Sequence, residues 1–109
     1  MAGFVKGDVV IIPFPFSDLT GSKKRPALVL ADLAGNDIIL CQITSQKSND
    51  PNAVMVTTTD FPTGGLQITS CIRPARIFTA DKNIIMRKTG SVSPSISSKL
   101  LQNLIKLLS

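Results

Sequence analysis

Only the last stretch of this chain repeats its apolar residues at the period of an α-helix. At about 100° per residue, Ile96, Leu100, Leu101, Leu104, Ile105, Leu107 and Leu108 share one half of the helical circle, and Ser98, Lys99, Gln102, Asn103 and Lys106 share the other. Ser93 followed by Pro94 is a cap and first-turn pair, so the spacing predicts one amphipathic helix over 94–108. Everything before it consists of short, β-branched runs cut by proline, glycine and polar turns. Val9–Ile12, Pro26–Leu30, Asp37–Ile43, Ala53–Thr59 and Leu66–Cys71 read as strands, and Ile72–Phe78 either continues the last of these or starts a new one after Pro74. Two prolines and a Thr-Gly-Ser stretch make residues 13–24 read as a loop of about ten residues, with further turns at Asp32–Asn36 and Phe61–Gly65. Five or six short strands and one helix in 109 residues predict a mainly β fold, a single domain over 1–109: a small bent sheet or open barrel covered by its terminal helix.

The charge pattern narrows the function. Five basic and six acidic residues lie up to position 60, against seven basic and one acidic after it, for a net charge of +5. An excess concentrated in the second half suits an anionic partner, a nucleic acid or an acidic protein segment, and also suits an ordinary solvated surface. The chain has no histidine. That excludes Ser-His-Asp and Cys-His catalysis, paired-histidine cleavage of RNA and histidine metal sites within this chain. Cys41 and Cys71 lie in apolar runs without metal-ligand spacing and read as buried thiols of a cytoplasmic protein. No signal-peptide pattern opens the chain, and its longest uncharged apolar run, Val9–Phe16, holds two prolines and is too short to span a membrane. A hydrophobic fraction of 43%, with a helix apolar over half its circumference, predicts a self-associating surface.

Few residues remain that could do chemistry. Lys23-Lys24-Arg25-Pro26 places a planar guanidinium where a loop enters a strand, a geometry for bidentate phosphate contact and equally the solvated edge of a sheet. Thr44, Ser45 and Gln46 follow the third strand, where their hydroxyl and amide groups could meet phosphate or base edges, or bond to local backbone. Arg73, Arg76, Arg87 and Lys88 form either a nucleic-acid track or a wet face. Phe14 and Phe16 could stack bases or anchor the loop, and Asp8 and Asp18 are the early carboxylates available as an acid/base couple or as turn caps.

In order, Gly7-Asp8-Val9-Val10, Pro13-Phe14-Pro15-Phe16-Ser17-Asp18, Gly21 to Leu30 with its Lys-Arg-Pro-Ala-Leu-Val-Leu core, Gln42-Ile43-Thr44-Ser45-Gln46 and Cys71-Ile72-Arg73 cover nearly the whole chain. This series closely resembles the MazF/PemK family of toxin ribonucleases from type II toxin-antitoxin systems. The resemblance implies an SH3-like barrel and a homodimer that cleaves single-stranded RNA by 2'-hydroxyl attack, without metal or other cofactor. It implies catalytic roles for Arg25, in the Arg-Pro-hydrophobic motif, and Thr44, in the Ile-Thr-x-Gln motif. RNA contacts are implied for Phe16, Ser17, Asp18, Lys23 and Lys24 in the loop flanking the groove, and for Ser45, Gln46 and Arg73 beyond it. The implied partners are a cognate antitoxin with a disordered tail and, through the toxin-antitoxin complex, operator DNA; no membrane is involved. The alternative is a non-catalytic RNA/DNA-binding or antitoxin-binding regulator of the same fold. Many relatives have an acidic residue where this chain has Ser70, and many place Trp or Tyr near the groove, whereas this chain has neither.

Overall fold

The computed structural model describes residues 3–14, 23–45, 51–57, 63–64 and 69–109. Among the described residues, seven strands, β1 (Asp8–Phe14), β2 (Lys23–Asp32), β3 (Asp37–Thr44), β4 (Val54–Val56), β5 (Thr63–Gly64), β6 (Ser70–Asp81) and β7 (Arg87–Ser91), with a 3-10 turn at Lys82–Ile84, precede one α-helix, α1 (Pro94–Leu108). They form a single curled sheet in the order β4-β6-β3-β2-β1-β7-β5, with every paired neighbour antiparallel. The expected mainly β half-barrel with a terminal helix is what the chain adopts. Both sheet edges are very short strands, which limits the unpaired backbone offered to another chain. No helix among the described residues is long and apolar enough to cross a membrane.

Curling buries both faces of the central strands. Val9, Leu28, Cys41, Ile43, Ile72 and the β4 valines pack beneath Ile96 and Leu100 of α1. On the other face Val10, Ile12, Ala27, Val29, Ile38 and Leu40 form a second cluster, closed by Phe4, Phe78, Ala80 and Ile85. This explains why β1, β2 and β3 read as nearly continuous apolar runs instead of alternating ones.

Three prolines fall at places where the ladder is one-sided or interrupted. β1 runs through Pro13 to Phe14, paired with Lys24 and Lys23, so the loop predicted over 13–24 begins and ends in strand. Pro13 is tolerated because the β1–β7 ladder has already ended at Ile11. Pro26 likewise lies beyond the last β2–β3 pair, Ala27 with Gln42. Pro74 sits in a bulge where the β3–β6 register jumps, and β6 continues through it as one strand of 12 residues. The Phe61–Gly65 turn is corrected in part, since Thr63–Gly64 pairs with Ser91 and Gly90 of β7. β7 itself has no strand-like pattern in its Arg-Lys-Thr-Gly-Ser sequence.

Gly7 and Asp8 fasten the start of the sheet. Gly7 has φ +98, and a Cβ there would lie 3.0 Å from Ser97 Oγ of α1, so a side chain would strain both backbone and helix contact. The Asp8 carboxylate is 1% exposed; it accepts from Val5 N at 3.0 Å and Ser91 Oγ at 2.7 Å, with Lys88 Nζ 3.7 Å away. It ties the N-terminal segment and β7 to β1. Removing a buried acceptor leaves its donors unsatisfied, so Asp8→Ala is expected to lower stability by about 2–4 kcal/mol, and Asp8→Asn by less. Urea denaturation of the two variants would measure this; equal midpoints with wild type would show that the carboxylate is dispensable.

Candidate active site

The register of β2 against β3 relates Arg25 to Thr44 at the open end of the hairpin, two residues beyond its last pair. Ala27 pairs with Gln42, Leu28 with Cys41 and Val29 with Leu40. Continued by two residues toward the open end of the hairpin, the same register sets Arg25 opposite Thr44. A bulge is responsible: beyond Val29 the register steps by one, Ala31 pairing with Ile39, and Leu30 is the extra residue. Without that step Arg25 would face Ser45.

Strand alternation places both side chains on the face opposite α1. Arg25 follows Ala27 and Val29 on β2 and is directly opposite Ile12, and Thr44 follows Leu40 on β3, all four in the second core cluster or opposite it. Each is half-buried, held by its strand yet reachable from solvent. Thr44 is also directly opposite Cys71 of β6. The ion pairs among the described residues, Lys82 with Asp32 and Lys88 with Asp8, leave the Arg25 guanidinium out. A planar fork and a hydroxyl on one face of the sheet are the groups that take the two free oxygens of a phosphate diester.

The remaining candidates divide. Lys24 is exposed, and the pleat directs it to the opposite side of β2 from Arg25, so it adds charge at the rim. Lys23 begins β2 opposite Phe14. Ser45 is exposed in the bend after β3. Arg73 is half-buried in the β6 bulge; its Nε is enclosed and its carbonyl accepts from Cys41 Sγ at 2.9 Å. Phe16, Ser17, Asp18 and Gln46 lie outside the described residues. Asp8 is separated from this end by the length of β1, four residues or about 13 Å from Ile12, the partner of Arg25, so its position fits the structural role above and not an acid/base pair with Arg25.

Gln42 and Met55 were not singled out as site residues by the sequence reading. Gln42 is half-buried on the same face, two residues before Thr44 and beside the exposed Arg76, which precedes the Cys41 partner Ile77. Met55 is 58% exposed between two buried valines, and nothing in the uniformly apolar Val-Met-Val sequence signals that exposure.

Residues 5–108 match the family described as PemK-like, MazF-like toxin of type II toxin-antitoxin system. The chain belongs to that family. Its fold is shared by several solved structures. A MazE-MazF complex from Deinococcus radiodurans superposes with a TM-score of 0.79 at 18% identity, covering 99% of this chain and 97% of that one. An endoribonuclease in complex with its cognate antitoxin from a mycobacterial species gives 0.73 at 18% identity, covering 95% and 93%. A further mycobacterial endoribonuclease gives 0.72 at 20%, covering 99% and 93%. No curated protein sequence matches the PemK/MazF-like toxin.

Proposed function

We propose that this toxin is an endoribonuclease that cleaves single-stranded RNA, with Arg25 and Thr44 acting on the phosphate at the cleaved bond. What supports the reading is that strand alternation puts both residues on the face of the sheet opposite α1, at neighbouring positions of β2 and β3, each half-buried. In the reaction a ribose 2'-oxygen attacks the adjacent phosphorus and gives up its proton, the bond to the 5'-oxygen breaks, and that oxygen is protonated. Charge grows on the non-bridging phosphate oxygens as the new bond forms. Arg25 spans two of them with its fork and the Thr44 hydroxyl donates to one, so both bind the transition state more tightly than the substrate. Lys24, Arg73 and Arg76 supply the surrounding positive potential that draws the strand in.

Incubation with a long single-stranded RNA in excess chelator tests this. Discrete fragments ending in a 2',3'-cyclic phosphate and a 5'-hydroxyl are expected. RNA left intact at stoichiometric protein would leave a binding module of the same fold.

Relatives solved with an antitoxin support a protein partner for this toxin as well, an acidic segment competing with RNA for the basic face and, in the complex, recruiting operator DNA. An RNA substrate places the activity in the cytoplasm. A homodimer is proposed from α1, whose outer apolar residues Leu101, Ile105, Leu107 and Leu108 are 40–71% exposed. Beside them a cavity of about 110 Å³ lined by Leu28, Leu30, Leu100 and Leu104 opens between α1 and β2. Light scattering is expected to give twice the 11.6 kDa of one chain, and Leu101→Asp with Ile105→Asp to give a single chain. Wild type at single-chain mass in micromolar solution would overturn the dimer.

A further inference from the structure

Arg25 and Thr44 belong to a longer row. Thr44 is directly opposite Cys71 on β6, and Cys71 is directly opposite Met55 on β4. Ile12 is opposite Arg25 on β1, and the β2–β3 register, carried two residues beyond its last pair of Ala27 with Gln42, aligns Arg25 with Thr44, so that the line extends over Ile12, Arg25, Thr44, Cys71 and Met55. Directly opposed residues of an antiparallel pair project from the same face, so Met55 shares the face of the proposed phosphate site.

Strands about 4.8 Å apart put the Met55 backbone about 10 Å from that of Thr44. Its side chain closes part of the gap. The thiol of the buried Cys71 donates to Met55 Sδ at 3.1 Å, which seats the thioether against the residue that lies between Met55 and Thr44. Met55 is nonetheless 58% exposed. The result is a polarizable apolar side chain open to solvent, two strands along the row from Thr44 with Cys71 between them.

We propose that Met55, seated on Cys71, is the platform on which an unpaired nucleobase next to the cleaved phosphate rests, and that it makes the site prefer a purine there. The inference builds on the ribonuclease reading above. Thioether sulfur makes favourable contact with aromatic rings, and a purine offers more face than a pyrimidine. A base in a duplex has its faces covered by its neighbours, so the same platform favours single strands. The chain has no Trp or Tyr for this task, and the two phenylalanines whose side chains are described, Phe4 and Phe78, pack against the second core cluster. Met55 touches no reacting atom; it is a specificity residue.

The test uses the full-length toxin and short RNAs carrying purine, pyrimidine or an abasic sugar at each position flanking the mapped cleavage site. Wild type is expected to show a lower KM with a purine at one of those positions, by about three- to tenfold over the abasic RNA. Met55→Ala should erase that difference, raising KM for the purine RNA to that for the abasic RNA, and Met55→Leu should keep most of it. Since Met55 is exposed, its replacement leaves folding intact. A wild-type enzyme that cleaves RNA while Met55→Ala retains the full base preference would overturn the role of Met55. Absence of any cleavage or RNA binding by wild type would instead overturn the ribonuclease reading.

Discussion

Arg25→Ala is expected to slow RNA cleavage by roughly two to three orders of magnitude, as loss of a preorganised donor to a developing oxyanion does elsewhere. The side chain leaves β2 at a residue paired with Ile12, one of the fully buried residues of the second core cluster, so its base is held. Arg25 is half-buried, and no described carboxylate forms an ion pair with it. Arg25→Lys keeps the charge but loses the planar fork, and should recover less than about a tenth of the wild-type rate. The measurement is single-turnover cleavage at saturating protein, which separates chemistry from binding, with thermal melts to show that both variants fold. A wild-type rate in Arg25→Ala would move the chemistry to another residue.

The sequence made the helix legible at both ends, because an apolar arc and a Ser-Pro start are local signals; α1 begins at Pro94 and ends at Leu108. Ser93 caps it through its backbone carbonyl, bonded to Ile96 N and Ser97 N, with no side-chain capping bond. β1, β2 and β3 were legible in their centres for the same reason, and blurred at their prolines. A proline excludes a strand only where both neighbours need its N–H, and Pro13 and Pro26 stand where one ladder has ended. β5 and β7 were not legible at all, since two residues of Thr-Gly and a polar Arg-Lys-Thr-Gly-Ser segment become strands only through the partners that tertiary structure supplies.

The site shows the same division. Arg25 and Thr44 could be chosen by residue type and motif, but their facing each other depends on the bulge at Leu30. A one-residue register change reverses which neighbour a side chain meets, and nothing in Ala27-Leu28-Val29-Leu30 announces the extra residue. The pairing of Cys71 with both Thr44 and Met55 depends on a strand order, β4-β6-β3, that skips β5 in sequence. Asp8 was open between catalysis and structure until its three partners and its distance along β1 decided for structure.

Thr44→Val should separate the hydroxyl from the shape it occupies. Valine keeps the β-branch that fits strand backbone and removes only the donor, so the fold at the end of β3 stays and the chemistry loses one hydrogen bond to the phosphate. Cleavage at saturating protein is expected to fall by about 10- to 100-fold, with KM little changed, because the bond strengthens as charge develops and not on binding. Thr44→Ser restores the hydroxyl without the methyl group that limits its rotamers, and should return to within about fivefold of wild type. Two groups acting on one phosphate are not independent: the Arg25→Ala/Thr44→Val double variant should be slower than Arg25→Ala by less than Thr44→Val is slower than wild type. Full additivity, with both single variants impaired, would place the two side chains on different steps of the reaction. A Thr44→Val enzyme as fast as wild type would leave the threonine a purely structural end to β3.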